Sequence, residues 1–71
     1  MEAGVAAASD IRVVLVTAPD AATADALART LVEERLAACV NIVPGVRSVY
    51  RWQGRVEQAD ELLLVAKTRA D

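Results

Sequence analysis

The segment Glu33–Gly54, EERLAACVNIVPGVRSVYRWQG, decides the fold. Its first residues close an amphipathic helix, and from about Ala38 the chain turns to β-branched and aromatic residues, as a strand does. The segment holds the only Cys (Cys39), the only Trp (Trp52), the only Tyr (Tyr50) and the one Pro-Gly pair, Pro44-Gly45. Proline cannot donate a ladder hydrogen bond and glycine tolerates bulge conformations. Pro44-Gly45 therefore predicts a bend or bulge within a strand running from about Ala38 to Trp52. Gln53-Gly54 predicts a tight hairpin turn at an aromatic and basic tip. The returning strand starts at Arg55, has a polar interlude at Glu57–Glu61, and continues as the apolar stretch Leu62–Thr68.

Upstream, Ala24, Leu27, Ala28, Leu31 and Val32 recur at spacings of three and four, an apolar stripe on a helix expected to reach about Leu36. Asp20, just past Pro19, sits where an N-cap carboxylate accepts from free backbone N–H groups. Asp25 and Arg29 stand off the stripe at an i,i+4 spacing that favours an ion pair. Before the helix, Ile11–Thr17 (IRVVLVT) reads as a strand. The order strand, helix, strand, strand gives an α+β chain, half of a ferredoxin-like sandwich. Its first and third strands are expected side by side in an antiparallel sheet.

Val13–Val16 and Leu62–Ala66 are apolar without alternation, so both faces of those strands should be buried. One helix covers one face. Another copy of the chain is the simplest cover for the second.

Composition points the same way. The 71 residues are 55% hydrophobic with no Phe, which makes one small aliphatic core. A core of this size rarely supplies more than about 3–5 kcal/mol. One Cys cannot close an internal disulfide and there is no His for a zinc-finger-type site, which leaves oligomerisation as the remedy. The net charge of −2 argues against nucleic acid as a partner. Residues 1–9 read as a flexible tail and 10–71 as the domain. The apolar run Val5–Ala8 is too short for a signal-peptide core or a membrane span, so the expectation is a cytoplasmic chain with Cys39 reduced.

Three places carry candidate chemistry. Cys39 is the candidate metal ligand, since thiolates favour soft ions such as copper. With no second Cys and no His, the competing reading is the small buried hydrophobe that most free cysteines are. Arg47, Tyr50, Arg51, Trp52 and Arg55 gather at the hairpin tip. Tyr50, Arg51 and Trp52, with Pro44 and Gly45 at the bend, are expected as oligomer contacts, because Trp, Tyr and Arg are enriched at interfaces. Lys67 ends an apolar run and is either a cleft residue or the point where a strand meets solvent. Ser9, Ser48 and Cys39 lack a histidine partner, and Gly4, Gly45 and Gly54 are too scattered to cradle a phosphate, so no enzyme is expected.

TAPD at 17–20, ALARTLVEERLAACVNI at 26–42, PGVRSVYRWQGRVE at 44–57 and LLLVAKT at 62–68 together resemble the CutA divalent-cation-tolerance family. The resemblance implies a ferredoxin-like fold in a compact homotrimer, sheets packed face to face around the threefold axis. It implies an association with copper and other divalent cations, with no enzymatic activity. It also implies kinship in fold with the PII signal-transduction proteins. A small anionic effector in an inter-subunit cleft near Trp52 and Lys67 is then an alternative, and a trimerising scaffold a third. The pattern departs from the family at Val16, where some members carry Cys. The family's second helix and later strands, with a His-Pro-Tyr motif and a following Glu, have no counterpart through Asp71, so roughly a third of the family domain is expected to be absent.

Overall fold

A computed structural model describes residues 10–69 and contains one helix and three strands. Strand β1 spans Ile11–Ala18, helix α1 Ala21–Glu33, strand β2 Cys39–Trp52 and strand β3 Arg55–Arg69. The expected tail at 1–9 lies outside the described residues. Strand β3 is central, in the order β1-β3-β2, and pairs antiparallel with both neighbours. The first and third strands are therefore side by side, as expected, and the polar interlude at Glu57–Glu61 does not interrupt β3. This is the β-α-β-β portion of a ferredoxin-like sandwich.

Each element ends for a local reason. The Asp20 side chain accepts from the Thr23 backbone N–H at 2.8 Å and caps α1. That bond and the Thr23 hydroxyl hold the carboxyl of Asp20 below its ordinary pKa. The helix stops at Glu33, short of the expected Leu36. Arg35 adopts φ 61°, the Leu36 N–H donates to Leu31 O at 2.9 Å, and the Arg35 N–H donates to Val32 O at 3.1 Å. Those two bonds make a Schellman cap, with arginine in the left-handed position that glycine usually takes. Thr68 Oγ1 then donates to Leu36 O, and the Ala38 N–H to Lys67 O, pinning the helix exit to β3. At the hairpin, Gln53 and Gly54 both have positive φ (52° and 79°), the signature of a type I′ turn.

The bulge falls where Pro44-Gly45 predicts it. Val43 faces Leu63 and Val46 faces Glu61, so two residues oppose the single Leu62, with Gly45 at φ 82°.

The core lies between α1 and one sheet face. Ala18, Ala24, Ala28 and Leu64 are buried together, with Val16, Leu27, Val40, Ile42 and Leu62 packed around them. Of the sequence-derived stripe, Ala24 and Ala28 are buried, Leu27 and Leu31 half-buried, and Val32 exposed. The helix lies close to the sheet through alanines, so contact is near but the buried volume is small. Asp25 and Arg29 do not pair. Among the described residues the ion pair present is Arg47–Asp60, at 4.0 Å and solvent-exposed, a geometry worth little.

The expectation of two-sided burial is met on one side only within the chain. Strand alternation turns Val13, Leu15, Val43, Leu63 and Val65 away from the helix. Val13 is 59% and Leu15 63% exposed.

Candidate functional site

The sequence candidates fall on the uncovered face and on the hairpin that extends from it. Cross-strand pairing builds that face in rows. Thr17, Leu63 and Val43 form one row, Leu15, Val65 and Asn41 the next, and Val13, Lys67 and Cys39 the third. Cys39 is therefore a half-buried thiol on an edge strand, beside Lys67 and outside the core cluster. No three His, Cys, Asp or Glu side chains converge on a metal site among the described residues. The donor set of one chain does not fit copper, which wants several soft ligands.

Past the bulge, β2 and β3 continue as a two-stranded arm. Tyr50 pairs with Glu57, Arg51 with Val56 and Trp52 with Arg55. The arm is bare: Trp52 is 61% exposed, Tyr50 45%, Val49 64% and Val56 66%. It makes the molecule elongated, 45 by 24 by 19 Å, with a radius of gyration of 14.4 Å against about 11 Å for a compact chain of this length. Ser48 Oγ donates to Glu61, bracing the base of the arm across the ladder.

Trp52 and Lys67 are not brought together. Trp52 pairs with Arg55 at the tip, and Lys67 lies twelve residues further along the same strand. At the rise of an extended strand that is about 40 Å. No cleft of a single chain holds both. Sequence reasoning missed a shallow apolar groove lined by Ala28, Arg29, Val32, Glu33 and Val40, between the helix and the outer edge of β2. The helical stripe names Ala28 and Val32, but nothing in it places them beside Val40.

Comparison with known proteins shows the family. The model of the CutA1 divalent ion tolerance protein family matches residues 12–71. The divalent-cation tolerance protein CutA of Thermus thermophilus is 62% identical over 56 residues, which is 79% of this chain and 54% of that protein. The chloroplastic protein CutA of Arabidopsis thaliana is 54% identical over 57 residues, 80% of this chain and 31% of its own length. Among solved structures, CutA of Xylella fastidiosa superposes with a TM-score of 0.86 at 48% identity, over 87% of this chain and 60% of that one. The chain thus spans about half the length, or less, of the curated relatives it matches.

One expectation is overturned. The Archaeoglobus fulgidus CutA, with a TM-score of 0.81 at 40% identity over 84% of this chain and 58% of that one, is described as periplasmic, and the Arabidopsis protein as chloroplastic. A cytoplasmic location does not follow, and neither does a permanently reduced Cys39. Composition reports the solvent a folded domain meets, which is water in each of these compartments, and carries no address. No described helix is long and apolar enough to cross a membrane. The matched span from residue 12 onward, the identity to the Thermus protein and the shared three-stranded sheet with its one covering helix place this chain in the CutA1 divalent ion tolerance family.

Proposed function

We propose that the protein serves divalent-ion tolerance as a non-enzymatic homotrimer, with the open sheet face of each copy covered by its neighbours. The observation that carries the reading is the apolar middle of that face, where Val13 and Leu15 are more than half exposed beside half-buried Leu63 and Val65. Burying a Val or Leu side chain fully is worth about 1.5–3 kcal/mol, and no described element of the chain covers these. A second copy supplies a matching apolar surface, and the family resemblance supports three copies. The non-enzymatic part rests on the chemistry of the chain, which has nucleophiles but no histidine to activate them.

Copper binding belongs to this reading only as a property of the assembly. One Cys39 offers one thiolate, so the remaining donors have to come from neighbouring copies or from other parts of the protein.

The test is the mass of the intact protein in solution over a range of concentrations, followed by Cu(I) titration. The expected result is three copies at micromolar concentration, with copper uptake lost in Cys39→Ser. A monomer throughout the range removes the assembly. Unchanged uptake by the Cys39→Ser variant removes Cys39 from the metal.

A further inference from the structure

Three changes of support fall at one level of the central strand. Strand β1 pairs with β3 from Arg69 back to Leu62, which faces Ala18, and no further. The bulge of β2 lies opposite that same Leu62, between the pairs Val43–Leu63 and Val46–Glu61. Ile42 and Leu62 are also the residues nearest the arm that pack against the core under the helix. The polar interlude Glu57–Glu61 is thus the part of β3 with no β1 beside it, where charged side chains blunt an open edge.

Beyond this level the arm is tied to itself and not to the body. The Ser48 hydroxyl donates to the Glu61 carboxylate, and Arg47 stands across from Asp60. All four residues belong to the arm, so these bonds join its two strands to each other. At its root, Gly45 has φ 82° and open space around it, since a side chain there would meet nothing within 4 Å. Few buried apolar contacts and a freely turning root are the features of a segment that opens apart from the rest.

We propose that residues 46–61 form a strap that opens and re-seats as one unit while the body stays folded, with Pro44-Gly45 and Leu62 as its hinge. A hinge is a few residues that absorb backbone rotation, and the bulge supplies them in β2. The strap is about 23 Å long from Val46 to Trp52, so a turn of about 10° at its root carries the tip by about 4 Å. The aromatic tip can therefore engage or leave a partner without loss of the sheet that carries it.

Native-state hydrogen exchange on the intact protein, resolved amide by amide across increasing denaturant, tests this directly. Protected amides of 46–61 are expected to share one opening equilibrium, at least about tenfold more open than that of residues 63–68, with the boundary at Leu62. Ser48→Ala is expected to raise opening several-fold over the whole strap and leave residues 63–68 unchanged. A common level of exchange from residue 55 to 68 in the wild type overturns the strap, whatever the variant does. A Ser48→Ala variant that speeds exchange only beside residue 48 overturns its opening as a unit. The inference does not depend on the number of copies, and mass measured on the same sample keeps the two apart. A single copy with the boundary at Leu62 retains the strap and removes the trimer, and a trimer without the boundary does the reverse.

Discussion

The two halves of the β2–β3 ladder are built alike and supported differently. From Cys39 to Val43, β2 pairs with a stretch of β3 that contains Leu64, fully buried, and Ala66, 5% exposed. From Val46 to Trp52 the pairing continues without a gap, yet Val49, Trp52 and Val56 each stay more than 60% exposed. Between β2 and β3 the pairing is the same in both halves, but β1 pairs with β3 only over Leu62–Arg69. The difference is β1 and the helix, which support the first half and leave the second bare. A two-stranded hairpin is marginal in water on its own, so the arm depends on its root and on whatever it touches in an assembly.

Truncations separate the halves most sharply. Leu64→Ala removes the one large side chain that is wholly buried among the described residues, and is expected to cost about 2–5 kcal/mol in denaturant unfolding. Val56→Ala on the arm is expected to stay within about 0.5 kcal/mol for the isolated chain. Equal losses at the two positions would mean that the arm has a cover of its own. Trp52→Ala is next in size. It should leave the fold of one chain intact while weakening assembly by about 2 kcal/mol, as loss of an interface anchor does, read as a shift in the concentration at which copies separate. A Trp52→Ala variant that assembles like the wild type would make the tip a solvated end.

Smaller effects probe the root alone. Arg35→Gly relieves a left-handed backbone at the helix exit and is expected to raise stability by about 0.5–1 kcal/mol. Hydrogen exchange should then slow at Leu36 and Ala37 and remain unchanged on the arm. The smallest effect concerns Asp20. Its folded pKa lies below the unfolded one because the carboxylate accepts from Thr23, so its contribution is present above the unfolded value and fades as pH falls through the folded value. Acid titration should show wild-type stability falling more steeply below about pH 4 than that of Asp20→Ala. Identical slopes would remove the cap from the acid response.

Much of this contrast was legible in the residues. Pro44-Gly45 and Gln53-Gly54 marked the bulge and the turn because each needs backbone freedom that few other residues provide. Asp20 marked the helix start for the same local reason. The end of the helix was not legible, since a Schellman cap on Arg35 lacks the glycine that normally announces it. Apolar runs at Val13–Val16 and Leu62–Ala66 were read as buried on both faces, and the structure buries one. Nothing in the order of residues along one chain says which chain supplies the other cover. The site was less legible for a related reason. Cys39, Trp52 and Lys67 stood out by type, but their separation along the strands depends on register, and register places Trp52 and Lys67 at opposite ends of the sheet.

The Pro44-Gly45 bulge sets which residues of β2 face which way for everything after it. Because two residues there span the length of one, Val46, Ser48, Tyr50 and Trp52 share a side with Val43 instead of the opposite one. Straightening the bulge with both residues kept would slip the pairing by one and reverse the whole stretch 46–52 at once, sending Tyr50 and Trp52 to the helix side and Arg47, Val49 and Arg51 to the open one. No substitution on the arm could transpose so many side chains. At this spot the bulge is itself a piece of structural information: at fixed chain length its presence or absence acts as a switch of sidedness.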